Sequence, residues 1–151
     1  MKRILFVCLG NICRSPMAEA VMRHYVRQAG LEADFEIASA AVSNEEWGNP
    51  IYPPAARTLR EHGIPYDKSR TARQMTAADY DRYDIIVGMD EGNIRGINRI
   101  AGGDPSGKVH LLMEFVGEHR AVADPWYTRD FETAFSDIDK GCYALYRQVI
   151  E

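Results

Sequence analysis

With 151 residues, 46% of them hydrophobic and 26% charged, the chain has the length and composition of one soluble globular domain spanning residues 1–151. Its 18 Lys+Arg against 22 Asp+Glu give a formal net charge of −4 with no basic run, which argues against broad nucleic-acid or anionic-membrane binding. No apolar stretch approaches the roughly 20 residues needed to span a bilayer, and the run Ile4–Leu9 behind Lys2-Arg3 is too short for a leader peptide and ends in a Gly/Asn turn, so the expected compartment is the cytosol.

Read along the chain, strands alternate with helices. Arg3–Cys8 is nearly continuous apolar sequence, the pattern of a strand buried on both faces. Leu9–Ser15 is a turn, after which Pro16 suits a first helical position with Ser15 as N-cap. Met17, Val21, Tyr25 and Ala29 recur every fourth residue, and Gly30 closes that helix. Asp34–Ser39 reads as a second strand, Asn44–Pro54 as loop, and Ala55–His62 as a short helix ended by Gly63 and Pro65. Thr76–Tyr83 is a further short helix, Asp84–Met89 a third strand, Asp90 the cap of a helix to about Ile100, and Lys108–Leu112 a fourth strand. A loop over Glu114–Arg129 precedes a last helix whose stripe runs Phe131, Ala134, Phe135, Ile138, Cys142, Leu145, Tyr146 and Val149.

This alternation implies parallel strands joined by right-handed crossovers, hence an α/β three-layer sandwich whose four-stranded parallel sheet is flanked by helices. Ligands of such sheets bind beyond the carboxyl ends of the strands. Cys8–Ser15, Ser39–Trp47, the Asp90 region and the Glu114–Arg129 loop therefore belong to one rim.

Three cysteines (Cys8, Cys13, Cys142) without a Cys-x-x-Cys pair, and four scattered histidines, make neither a disulfide framework nor a metal site. The chemistry is concentrated in Cys8-Leu9-Gly10-Asn11-Ile12-Cys13-Arg14-Ser15. A cysteine ends a buried strand, five residues intervene, then an arginine opens a helix. Backbone N–H groups of such an arc form an anion nest reinforced by the helix dipole. Gly10 permits a positive φ, and Asn11 tolerates a left-handed conformation while tying the loop with its side chain. Arg14 offers a planar fork for two phosphate oxygens. The field that holds a dianion also favours a thiolate, so Cys8 is expected to be ionised and nucleophilic, with Ser15 donating to its sulfur. A nucleotide P-loop would need G-x-x-x-x-G-K-[ST], which is absent.

A second constellation is Asp124-Pro125-Trp126-Tyr127. Cleaving a phosphate ester through a cysteine needs a proton for the leaving oxygen and then a base for water, and one rim carboxyl group serves both steps. Asp124 fits that role, stiffened by Pro125, and Trp126 and Tyr127 offer aromatic walls to a planar ring. An Asp-Pro pair is equally well a turn or helix-stop signal.

These segments, together with Ser39-Ala40-Ala41, Gly48-Asn49-Pro50, His62-Gly63-Ile64-Pro65, Ala72-Arg73-Gln74 and Met89-Asp90-Glu91, resemble the low-molecular-weight protein tyrosine phosphatases over essentially the whole chain. The resemblance implies hydrolysis of phosphotyrosine and small aryl phosphates through a phosphocysteine, with Cys8 as nucleophile, Arg14 as phosphate clamp and Asp124 as general acid and base. It implies substrate contacts along Leu9–Cys13, loop shaping by Asn11 and Ser15, support from Ser39 and Asp90, and Cys13 as a second cysteine that traps oxidised Cys8 reversibly. It implies no cofactor and no metal, phosphotyrosine proteins or peptides as partners, and phosphate, sulfate or vanadate as active-site anions. A monomer is the expected state, with the rim aromatics a surface for weak self-association.

Two departures stand out. The family carries an aromatic just after the stretch beginning at Ser43, where this chain reads Glu45-Glu46-Trp47; Trp47 is expected to supply the rim aromatic from two positions on. The segment Tyr66–Thr71 is longer than usual and lacks the His found before Ala-Arg-Gln, with Arg70 standing roughly in its place. Among rivals, an arsenate reductase of this fold would need further cysteines in Tyr80–Ile100, and a protein-arginine phosphatase tends to carry Thr at the Ile12 position without the aromatic pair; Ile12, Trp126 and Tyr127 favour phosphotyrosine. A binding module on an inactive scaffold remains the alternative outside enzymes.

Overall fold

The run expected to be buried on both faces forms β1, Lys2–Cys8, in a computed structural model describing residues 1–151. Its side chains divide by the two-residue period of a strand. Ile4, Phe6 and Cys8 enter one core with α1 (Arg14–Gln28), α2 (Pro53–Glu61) and α6 (Phe131–Ile150); Leu5 and Val7 enter the other, with Tyr80 and Ile97. These last two lie on α3 (Ala77–Arg82) and α4 (Glu91–Ala101). The remaining elements are β2 (Phe35–Ala41), β3 (Ile85–Gly88), β4 (Val109–Leu111), the one-turn helix α5 (Pro125–Thr128) and two 3-10 turns, Glu32–Asp34 and Leu112–Val116.

The four strands are parallel in the order β2-β1-β3-β4, as the alternation of elements requires. Cys8 pairs with Ala41 at the carboxyl end of the sheet, and Val42 and Ser43 continue the contact by donating their N–H groups to the carbonyls of Cys8 and Leu9. Segment 73–75 adds to the outer side of β2 there, through Ala41 N–H to Arg73 O and Met75 N–H to Ala41 O, both 2.8 Å. That short parallel bridge carries Arg70 and Arg73 to the loop after β1.

Three local expectations are corrected. First, α1 begins at Arg14, so Ser15 lies inside the helix; Cys13 takes the N-cap position without a side-chain cap, because the Ser15 hydroxyl is engaged by Cys8 and Asn11. Second, Gly10 does not adopt a positive φ; Asn11 does, at 60°. Gly10 is needed for room, since a Cβ there would lie 3.2 Å from Glu46 Cγ. Third, the Glu114–Arg129 region is only partly loop: a 3-10 turn covers Leu112–Val116, and Asp124-Pro125 starts α5 as N-cap and first helical residue. The other boundaries move by a few residues at each end.

No helix is long and apolar enough to cross a membrane. The stripe of α6 enters the larger core, Cys142 included. Its Gly141 marks a close approach: an added Cβ would lie 2.9 Å from Leu112 Cδ1 and nearer still to Cγ. Gly141→Ala is therefore expected to destabilise the protein by about 1–3 kcal/mol through overpacking, more than the helix-propensity gain of up to ~1 kcal/mol returns. A urea midpoint unchanged or raised would contradict this packing.

Candidate active site

The carboxyl ends of β1, β2 and β3 bring the predicted segments to one rim. A cleft of about 150 Å³ opens there, lined by Cys8 to Gly10, Ile12 to Arg14, Ser43, Glu45, Glu46, Asp124, Trp126 and Tyr127. Cys8 is 3% exposed. Its Sγ lies 3.0 Å from Ser15 Oγ and accepts from the Ser15 N–H at 3.4 Å. The remaining N–H groups at the start of α1 have no side-chain cap competing for them.

Beneath the loop a buried chain of polar groups sets the direction of these bonds. Asn11, fully buried, donates its amide hydrogens to Ser15 Oγ (2.8 Å) and Ser39 Oγ (2.9 Å). Ser39 then donates to Glu19 Oε1 at 2.6 Å. Because Ser15 Oγ already accepts from Asn11, its own hydrogen is left for Cys8 Sγ. The Asn11 carbonyl side is held from the opposite direction: Arg70 Nη2 donates to Asn11 Oδ1 (2.6 Å) and to its backbone O (3.0 Å), and the Arg73 N–H donates to Oδ1 (3.2 Å). Five hydrogen bonds from four residues thus hold one asparagine in a left-handed conformation that a non-glycine residue adopts at a cost. Burial lowers the pKa of the Arg70 guanidinium, and the neighbouring Glu19, Cys8 and Asp67 act in the opposite direction.

Arg14 forms the floor, with 2% of its side chain exposed. Nη1 donates to Asp90 Oδ2 (2.9 Å) and to the Val122 carbonyl (2.8 Å), and Nη2 donates to Asp124 Oδ2 (3.3 Å). Three of the guanidinium's five N–H groups are thereby committed, leaving Nε–H and one Nη2 hydrogen as a fork. Asp90 is itself rigid, because it caps α4 by accepting from Asn93 N–H at 2.8 Å in a capping box. Asp124 caps α5, accepting from Trp126 N–H at 3.0 Å. That cap places Trp126 and Tyr127 on the cleft wall. Tyr52 props the outer side of Trp126, ring centroids 4.9 Å apart, and Arg129 bonds the Tyr52 hydroxyl at 2.8 Å.

Cys13 also lines the cleft but is a neutral thiol, its pKa pushed up to about 12 by burial first and then by Cys8 and Asp124.

Of the residues expected from sequence, Asn11, Ser15 and Ser39 lie behind the loop rather than on the cleft surface. Trp47 is misassigned to the cleft: it is 63% exposed and absent from the lining, because the chain turns at residues 44–47 through Trp47 N–H to Asn44 O. Glu45 and Glu46 take the wall instead. Sequence reasoning missed Glu19, Arg73, Tyr52 and the Val122 carbonyl. Only Glu19 carried a readable signal, one helical turn after Ser15 and hence on its face.

The model of the family described as low molecular weight phosphotyrosine protein phosphatase matches residues 3–151. The chain is 39% identical over 147 residues to the low molecular weight protein-tyrosine-phosphatase YfkJ of Bacillus subtilis, covering 96% of this chain and 94% of that protein. It is 39% identical over 149 residues to the human low molecular weight phosphotyrosine protein phosphatase, covering 95% and 93%. Its fold is similar to the crystal structure of YfkJ, with a TM-score of 0.94 at 38% identity over 99% of this chain and 94% of that one. It is also similar to the low molecular weight protein tyrosine phosphatase of Streptococcus pyogenes, with a TM-score of 0.90 at 38% identity over 100% and 95%. This chain therefore belongs to the low molecular weight phosphotyrosine protein phosphatase family and is a phosphomonoester hydrolase.

Proposed function

We propose that the protein hydrolyses phosphotyrosine in proteins and peptides, and small aryl phosphates, through a phosphocysteine formed on Cys8. The observation that carries this reading is a near-buried sulfur that accepts from Ser15, on the floor of a cleft shared with Arg14 and Asp124. A phosphate dianion fits the bowl of N–H groups over residues 9–14, with the free fork of Arg14 on two of its oxygens. The Cys8 sulfur attacks phosphorus in line. The S–P bond forms as the P–O bond to the phenol breaks, and Asp124 gives its proton to the leaving oxygen. Water then attacks phosphorus, Asp124 takes its proton, the S–P bond breaks and phosphate leaves. Charge on the equatorial oxygens is met by donors already in place, which is the main source of catalysis in phosphoryl transfer.

Trp126 and Tyr127 suit the flat ring of tyrosine. Cys13, a thiol in the same cleft, is proposed as the partner that captures an oxidised Cys8 as a disulfide. The positive field comes from Arg14 and the backbone, so the proposed route uses no metal or cofactor. Hydrolysis of para-nitrophenyl phosphate in the presence of a chelator, blocked by vanadate, is the expected result; no hydrolysis would overturn the reading.

Arg70 is proposed to act through Asn11. Removing a charge-assisted, partly buried pair of hydrogen bonds costs about 1.5–3 kcal/mol. Arg70→Ala should therefore lower kcat/KM about tenfold or more, with weaker phosphate inhibition. Arg70→Lys should recover only part of this, because a point charge replaces a fork. Wild-type kinetics in Arg70→Ala would show that the contact does not organise the loop.

A further inference from the structure

One wall of the cleft carries charge that the proposed chemistry does not use. Glu45 and Glu46 both line it, in the same cleft as Trp126 and Tyr127. The only basic residue lining the cleft is Arg14, at the floor and already bound to Asp90 and Asp124. No lysine or arginine on the rim neutralises the two glutamates. Arg129, the nearest cation to the aromatic wall, lies over the Tyr52 and Trp126 rings and bonds the Tyr52 hydroxyl.

The acidic wall is also held in place. Glu46 Oε2 accepts from Asn49 Nδ2 at 2.6 Å, and its Cγ packs so close to Gly10 that a Cβ there would sit 3.2 Å away. The Glu45 N–H is fixed by Ser43 Oγ at 3.0 Å. Glu45 itself is exposed, which leaves its carboxylate to the approaching substrate.

A dianionic phosphate entering this mouth passes two carboxylates. A substrate with acidic residues beside the phosphotyrosine adds further repulsion, whereas a Lys or Arg there offsets it. We infer that Glu45 and Glu46 make this enzyme selective for phosphotyrosyl peptides carrying Lys or Arg within about two residues of the phosphotyrosine. The inference rests on the phosphatase reading above and assigns the flanking-residue preference of that same site. Solvent-exposed charge pairs are individually weak, so the preference is moderate and screened by salt. Complementary charge at a mouth acts mostly on encounter and orientation, so it is expected in kcat/KM rather than kcat.

The test compares two phosphotyrosyl peptides of equal length, one flanked by lysines and one by glutamates, with para-nitrophenyl phosphate as reference. The expected ratio of kcat/KM, lysine over glutamate peptide, is roughly tenfold at low salt and falls towards one near 1 M salt. In the Glu45→Gln/Glu46→Gln variant the low-salt ratio should drop to about two- or threefold; Glu45→Gln alone, at the exposed position, should lower it partway. Turnover of para-nitrophenyl phosphate with a ratio near one in the wild type would overturn the inference and leave the phosphatase reading standing. The same holds for a ratio that favours the acidic peptide, persists in 1 M salt or survives both substitutions. Absence of para-nitrophenyl phosphate turnover would remove the reading on which the inference rests.

Discussion

Replacing Cys8 by serine is expected to reduce turnover by about 10⁵-fold or more, a scale set by nucleophile removal in other hydrolases. The serine hydroxyl fits the space under the loop and accepts from the same partners, so the cradle should survive. What it lacks is the nucleophilicity of sulfur. The N–H groups of residues 9–14 and the Arg14 fork are untouched, so phosphate or vanadate binding should remain measurable by calorimetry. Substantial retained activity would refute Cys8 as the nucleophile. Loss of both activity and anion binding would instead show that the sulfur holds the loop together, against the contact pattern in which Asn11 performs that task.

The second large effect belongs to Asp124. Asp124→Ala should lose roughly 10²–10⁴-fold in kcat, the usual scale of general acid–base catalysis. The deficit should shrink for esters of acidic phenols, whose leaving oxygen needs no proton in the transition state. An equal deficit across leaving groups would argue against the acid role. Asp124 also caps α5 and pairs with Arg14 Nη2, so alanine removes structure along with chemistry. Asp124→Asn separates the cap from the chemistry: an amide oxygen still caps the Trp126 N–H, while the second acceptor that meets Arg14 Nη2 and the transferable proton are both lost. The asparagine variant should therefore be more stable than the alanine variant, through the retained cap, and show the same leaving-group dependence.

Much of this site was legible because its parts are close in sequence. Cys8 to Ser15 is a continuous octet whose spacing reports a turn, a helix start and a charge. Asp90 declared itself as a helix cap, and the rule for parallel sheets places it on the same carboxyl edge as Arg14, while the ion pair between them is a contact of the packed structure. Asp124 was recognisable as a residue, yet read as a turn or stop signal it gave no hint that its capping bond would orient Trp126. Ser15 was misread as a cap because a short hydroxyl side chain beside a helix start fits a cap and a sulfur donor equally well. Gly10 was misread because glycine serves positive φ and close approach alike, and only the position of Glu46 distinguishes them.

Local pattern determined the order of strands and helices, the parallel sheet, the two-sided burial of β1, and the identity of the sulfur, the arginine and the carboxyl group at its rim. Those properties follow from periodicity, capping chemistry and residue type, which act over a few neighbouring positions. Tertiary structure alone decided which distant groups complete the site. Arg70 reaches Asn11 across 59 positions, Val122 reaches Arg14 across 108, and Glu19 closes the chain through Ser39. It also decided that two glutamates, and not Trp47, wall the cleft. The reason is geometric: a hydrogen bond or a charge acts over a few ångströms of space, and a sequence specifies such distances only once its chain has packed.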